Sequence, residues 1–150
     1  MAFVNGPYLA MAILCEKALQ EQDGVMSVIR VVDRVLHTVA GPSAPESMPP
    51  LPINLVAVVS FKSGEARGRY AVKLRPETPS GLKKQEISLP VLFEGGEDRG
   101  VNVIVNISLQ VQEEGLYWFD VLLDDVVVTR IPLRVVYHRF SLGGAAPPSQ

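Results

Sequence analysis

A chain of 150 residues with 47% hydrophobic and 20% charged residues has enough apolar side chains to build one buried core. Its net charge of −2 excludes a strongly basic nucleic-acid-binding protein. The single cysteine, Cys15, excludes an internal disulfide, and no apolar run is long enough for a membrane-spanning helix. We therefore expect one globular domain in the cytoplasm, with neither nucleic acid nor membrane as a partner.

The first third of the chain predicts two strands and a loop. Residues 8–19 contain many good helix formers, so a helix is the alternative there. We favour a strand, because Asp23-Gly24 is a strong hairpin signal and residues 25–36 are rich in valine and isoleucine. In a strand over residues 25–36, Asp33 would point inward. Residues 38–52 are rich in proline, which predicts an exposed loop.

Alternating apolar and polar residues indicate four strands in the middle of the chain. The first two are residues 53–62 and 69–75, and the next two are residues 87–94 and 101–111. Pro90 places its strand at a sheet edge or at a bulge, because proline donates no backbone hydrogen bond to a neighbouring strand.

Residues 115–137 give the clearest pattern, which is that of a β-hairpin. Tyr117 and Phe119 lie on one face of its first arm at the period of two that a half-buried strand requires. Asp124-Asp125 lies between the arms and forms a two-residue turn, because aspartate tolerates left-handed backbone. We expect Tyr117 and Phe119 to be buried.

About eight strands with turns between them, and no long amphipathic helix, are typical of an all-β protein. We predict a single antiparallel β-sandwich of immunoglobulin-like or C2-like architecture over residues 1–140, although the pattern does not distinguish a sandwich from a closed barrel. Residues 141–150 have little to bury and are expected to form a flexible, disordered tail.

Two surfaces are candidate sites for a partner. The basic stripe consists of Arg69, Lys73 and Arg75. Nucleic-acid binding would also require stacking aromatic residues, so we interpret the stripe as an outward strand that faces an acidic neighbour or protects a sheet edge. The hairpin face consists of Leu116, Trp118 and Leu122. It is an interaction patch if it is exposed, and second-layer core if a loop covers it.

Other chemistry has weaker signals. Calcium would require the acidic loop 94–98 to converge with Asp120, Asp124 and Asp125, and the spacing does not force that convergence. For nucleophilic catalysis the chain offers Cys15 with His37 or His138, but a cysteine inside an apolar strand behaves as a small hydrophobic residue. No metalloprotease, phosphate-loop or nucleophile-elbow motif is present. We therefore expect no catalytic residue, no metal and no cofactor.

Several turn-and-strand motifs carry a family resemblance. They are Leu14-Cys15-Glu16, Asp23-Gly24, Asp33-Arg34-Val35 and the stretch 115–121. With them the chain resembles, over residues 9–137, a family of small uncharacterised bacterial proteins grouped as a domain of unknown function. The resemblance implies an all-β sandwich and an intracellular bacterial protein without assigned chemistry.

These observations favour a non-enzymatic β-sandwich that acts as a binding or interaction module. We expect a protein partner, bound through an exposed strand edge or through the hairpin face, and a strand edge would also serve a homo-oligomer. The alternative is a small-ligand or carbohydrate-binding domain, with or without calcium. A hydrolase of unknown type is the third hypothesis.

Overall fold

The computed structural model describes residues 4–140, which form seven strands. These residues include no helix of the length and apolarity needed to cross a membrane. The strands are β1 (Tyr8–Gln20), β2 (Met26–Val31), β3 (Arg34–Ala40), β4 (Leu51–Glu77), β5 (Ile87–Val111), β6 (Gly115–Leu123) and β7 (Val126–Phe140). The predicted tail at 141–150 lies outside the described residues.

All seven strands belong to one open sheet in the order β2-β1-β4-β6-β7-β3, and β5 pairs with the opposite edge of β4. The pairs are antiparallel except for β3 and β7, which run parallel. The all-β class is therefore confirmed. The eight-stranded, purely antiparallel sandwich is not, because the strands form one mixed sheet rather than two.

Strands β4 and β5 are much longer than predicted. The predicted strands 53–62 and 69–75 are two segments of β4, and 87–94 and 101–111 are two segments of β5. The paired residues Lys62 and Gly100 precede a bend, and Arg67 and Glu94 follow it. The register shifts within the bend, and the buried positions of β4 change from odd to even numbers. This change of phase made β4 look like two strands, whereas β5 keeps its phase and looked like two because of the glycines and charged residues at the bend.

The bend divides the sheet into two parts. The first part contains β1, β2 and the segments 51–62 and 100–111, and the second contains β3, β6, β7 and the segments 67–77 and 87–94. Their apolar inner faces share one hydrophobic core. Phe61 of the first part meets Phe93 of the second edge to face, with 6.1 Å between ring centroids. The bend thus lets a single sheet cover its own apolar face.

The predicted hairpin is confirmed as β6 and β7. Tyr117 and Phe119 are only 2% and 0% exposed, so both are core residues. The Tyr117 hydroxyl donates a hydrogen bond to the carbonyl of Glu113 at 2.9 Å, which satisfies the polar end of a buried ring. Asp124 has the left-handed backbone (φ 54°) expected in the turn.

The N-terminal region was predicted with mixed success. The strand interpretation of residues 8–19 is confirmed, whereas the single strand predicted over 25–36 is wrong. The chain leaves β1 at Val31 and joins β7 at Arg34, so Asp33 lies exposed in the link instead of pointing inward. The alternation of apolar and polar residues does not show that Val31 pairs with β1 whereas Arg34, three residues later, pairs with β7.

The remaining loop and edge predictions are largely correct. The proline-rich loop predicted at 38–52 is confirmed over residues 41–50, whereas residues 38–40 belong to β3 and 51–52 to β4. Met48 within the loop is buried against the core. Pro90 lies in β5, which among the strands of residues 4–140 pairs with β4 alone and is therefore a sheet edge.

The bend depends on Gly64, which has left-handed backbone (φ 58°). A β-carbon at this position would lie 2.6 Å from the carbonyl oxygen of Asn5 and 2.7 Å from the ring of Tyr8. The backbone N–H of Glu65 also donates to the carbonyl of Asn5 at 2.8 Å. The segment before β1 therefore packs directly on the bend, and no side chain fits between them.

We expect Gly64→Ala to lower the free energy of unfolding by about 2–4 kcal/mol, because it combines left-handed strain with a backbone clash. Gly24→Ala is the matched control, since Gly24 also has positive φ but has nothing near its missing β-carbon. The control should lose only about 1–2 kcal/mol. Urea denaturation followed by the fluorescence of Trp118 measures both values, and equal losses would contradict the role of the bend.

Candidate functional site

The outer face of the second part of the sheet brings the two predicted sites together. Arg75 of β4 pairs with Asp120 of β6, which pairs in turn with Arg130 of β7, and Glu77 pairs with Trp118. Residues directly opposite one another on antiparallel strands point to the same side of the sheet, so the basic stripe and the hairpin face form one surface. We call it the arginine–tryptophan face; it comprises Arg69, Lys73, Arg75, Glu77, Leu116, Trp118, Asp120, Leu122, Arg130 and Arg134.

Asp120 is the centre of an ion-pair network on this face. Its carboxylate accepts a hydrogen bond from Arg130 Nε at 2.6 Å and another from Arg75 Nη2 at 3.2 Å. Arg130 also contacts Glu77 at 3.3 Å, and Glu77 pairs with Lys83 at 2.9 Å. Asp120 is 4% exposed, whereas the arginines reach solvent, so one nearly buried carboxylate holds two cations in place.

The electrostatic balance at Asp120 favours the ionised form. Burial alone would raise the pKa of its carboxyl group, but the hydrogen bonds from Arg130 and Arg75 outweigh that effect and hold the pKa below its usual value. Asp120 therefore remains a carboxylate at neutral pH, and its ion-pair partners are Arg75 and Arg130.

Trp118 is half-buried beneath Arg130. The guanidinium carbon of Arg130 lies 4.6 Å from the ring centroid, which is a cation–π geometry. A charged side chain, not a loop, provides this contact over the ring. Of the other two residues of the predicted hairpin face, Leu116 is half-buried and Leu122 is 4% exposed. The open apolar patch is therefore smaller than the sequence suggested.

The basic stripe is neutralised over part of its length. Lys73 pairs with Asp125 at 2.7 Å, and Arg75 pairs with Asp120. Arg69 and Arg134 are exposed, and neither forms an ion pair with any residue between 4 and 140. The centre of the face is thus balanced in charge, and its ends carry unpaired positive charge.

The acidic residues considered for calcium do not converge. Asp120 and Asp125 are engaged by cations, and Asp124 accepts a hydrogen bond from the backbone N–H of Ala71 at 2.9 Å. Glu94, in the loop predicted at 94–98, pairs with Arg99 at 3.5 Å. Over the described part of the chain, no three His, Cys, Asp or Glu side chains are grouped where they could hold a metal ion.

The nucleophile candidate lies elsewhere in the molecule. Cys15 is 0% exposed in β1, and burial raises the pKa of its thiol although a hydrogen bond to the carbonyl of Lys17 opposes the effect. A buried thiol with a raised pKa is a poor nucleophile. His37 and His138 lie on β3 and β7, where their rings contact Tyr137 and Phe140 respectively.

A groove that the sequence did not predict opens along β5. It has a volume of about 340 Å³, and its apolar walls are Ile87, Ile107, Leu109 and Pro76. Ile87 belongs to the second part of the sheet and Ile107 to the first, so the groove exists only because the bend brings both ends of β5 together. No local pattern signals such a site.

Fold and surface together define a small all-β domain built on one bent sheet, with a charged aromatic face and an apolar groove. The chain matches the model of a Family of unknown function (DUF6941) over residues 10–136. It therefore belongs to that family, which confirms the resemblance to a domain of unknown function. No curated protein matches the chain.

We expect Asp120→Asn to lower the free energy of unfolding at pH 7 by about 1–3 kcal/mol, because two arginines lose their charged partner. The folded pKa of Asp120 lies below the unfolded value, so its contribution is complete above about pH 4 and is lost as the pH falls through the folded pKa. Wild type and variant should therefore converge in acid. Urea titrations across pH test this.

The control for this prediction is Asp125→Asn. Asp125 also pairs with a cation, Lys73, but its side chain is 88% exposed, and exposed pairs contribute little. The control should match wild type at every pH. A constant difference between Asp120→Asn and wild type down to strong acid would show that the charge of Asp120 is not what stabilises the network.

Proposed function

We propose that this protein is a non-enzymatic interaction module that binds a protein partner through the arginine–tryptophan face. The observation that carries the proposal is Trp118, half-exposed beneath the guanidinium of Arg130 and held there by the Asp120 network. Tryptophan and arginine are the residues most enriched at the energetic centres of protein interfaces. Such a pair, fixed before a partner arrives, loses little conformational freedom on binding.

The charge of the face favours an acidic partner. Arg69 and Arg134 are exposed cations that form no ion pair within residues 4–140, and they flank the balanced centre. A partner with carboxylates at matching positions would gain ion pairs at the rim while its apolar groups pack on Trp118. Nucleic acid fits less well, because the face has a single aromatic ring and its central cations already hold carboxylates.

Two wider features belong to the same proposal. We regard the two facing parts of the bent sheet as a variant of a two-layer β-sandwich, since they enclose one core between their inner faces. We also propose a cytoplasmic location, because the free, buried thiol of Cys15 is compatible with a reducing compartment.

Capture of partners from an extract of the native host tests the face. Wild-type protein on a support should retain a partner that elutes with added salt, since salt screens rim charges. Trp118→Ala should lose the partner because it removes the central anchor, and Arg69→Glu should weaken capture because it reverses a rim charge. Retained proteins are compared by quantitative mass spectrometry.

Ile29→Ala is the control for this experiment. Ile29 is another exposed apolar residue, 42% exposed on β2, in the first part of the sheet. The control should recover the same proteins as wild type. If Trp118→Ala also recovers them in equal amount, the arginine–tryptophan face is not the binding surface.

The groove along β5 favours a second candidate, a small-ligand site. Its volume of about 340 Å³ lies at the lower end of the range for ligand pockets. Its walls are mainly apolar, and its polar lining residues are Lys84, Gln85, Glu86 and Ser108. That composition suits a small apolar ligand with one polar end. A sugar would instead require a free aromatic surface, and one side of the Trp118 ring already carries Arg130.

A neutral apolar dye, N-phenyl-1-naphthylamine, tests the groove by its fluorescence. We expect wild type to bind the dye and Leu109→Phe to bind it about tenfold more weakly, because the larger side chain fills the groove. Leu92→Phe is the matched control, since Leu92 is 52% exposed on β5 outside the groove. Equal dye binding by both variants would exclude the groove as the site.

A further inference from the structure

The sheet has one long edge without the usual protection against strand pairing. Edge strands in monomeric proteins are normally short, charged, irregular or interrupted by proline. β2 is six residues long and has an irregular, charged Arg30 (φ 59°), and β3 begins with Arg34. The first segment of β5 contains Pro90. Its second segment, Val101–Val111, lacks all of these features.

Val101–Val111 is eleven residues long and contains neither a charged residue nor proline. Its inward side chains are aliphatic, and its exposed outward side chains are the neutral amides and hydroxyl of Asn102, Asn106, Ser108 and Gln110. Within residues 4–140, the backbone of this segment bonds to β4 alone, so its other edge carries free N–H and C=O groups.

We propose that this edge pairs with the same edge of a second copy of the chain, in antiparallel orientation about a two-fold axis at Asn106. Asn106 is the middle residue of the segment and would lie opposite itself. A charged residue there would meet its own charge, whereas an amide both donates and accepts a hydrogen bond. A neutral segment is electrostatically compatible with a copy of itself, and neutrality distinguishes this edge from β2, β3 and the first segment of β5.

The groove supplies a second reason for the pairing. Ile107 and Leu109 of this segment line the groove together with Ile87, so this stretch of the edge borders the groove. A strand added beside Val101–Val111 would pass next to these aliphatic walls and would shield them from water. The two copies would also continue one apolar inner face across the axis. This interface is separate from the arginine–tryptophan face, so each can be tested without the other.

Sedimentation equilibrium from micromolar to millimolar concentration tests the pairing. Wild type should be a dimer that dissociates on dilution. Asn106→Lys and Asn106→Glu should each raise the dissociation constant by about tenfold or more, because each places like charges opposite one another. An equimolar mixture of the two variants should form a heterodimer as tightly as wild type, because the charges then attract.

Gln22→Lys is the control, because it adds the same charge at an exposed position in the β1–β2 turn, away from this edge. It should dimerise like wild type, and all variants should unfold cooperatively when studied as monomers. A monomeric wild type at millimolar concentration would overturn the proposal and leave the edge to an unrelated peptide. Failure of the mixed variants to associate would overturn the two-fold axis at Asn106.

Discussion

Continuous hydrogen bonding between β4 and β5 through a bend is the constraint on which the rest of the structure depends. The two strands pair on both sides of the bend, and each remaining strand belongs to one part of the sheet. β1 and β2 belong to the first part, and β3, β6 and β7 belong to the second. β1 pairs with the first segment of β4 and β6 with the second. Because both parts share these two strands, the inner faces meet without a separate sheet. Gly64 makes this possible, since any β-carbon there would collide with Asn5.

The arginine–tryptophan face follows from a smaller irregularity in the hairpin. The turn at Asp124-Asp125 would place Asp120 opposite Thr129, but the register shifts by one residue between Val121 and Leu122, and Asp120 meets Arg130 instead. The same shift places Arg130 beside Trp118. A bulge of one residue thus determines which charges meet, and thereby whether the tryptophan is covered by a cation.

The local sequence predicted much of the fold, because the alternation of apolar and polar residues along a strand shows which side chains are buried. Tyr117 and Phe119 were correctly predicted as core, and so was the turn that follows them. Alternation failed where the chain changes phase or partner. The bend in β4 resembles a loop between two strands, and the link at Asp33 resembles the middle of one strand. Both are decided by long-range pairing, which a short window of sequence does not contain.

The candidate site was predictable only in its components. Trp118 and the basic stripe were recognised separately, but their shared face depends on the pairing of β4 with β6, which are far apart in sequence. The groove was not predictable, because Ile87 and Ile107 meet only after the sheet bends.

The parallel pair of β3 and β7 has a consequence for biosynthesis. Arg34 pairs with Arg134, so β3 acquires its partner strand only after β7, far along the chain, has been synthesised. A pair between strands so far apart in sequence has a high loop-closure cost, so we expect β3 to join the sheet late in folding.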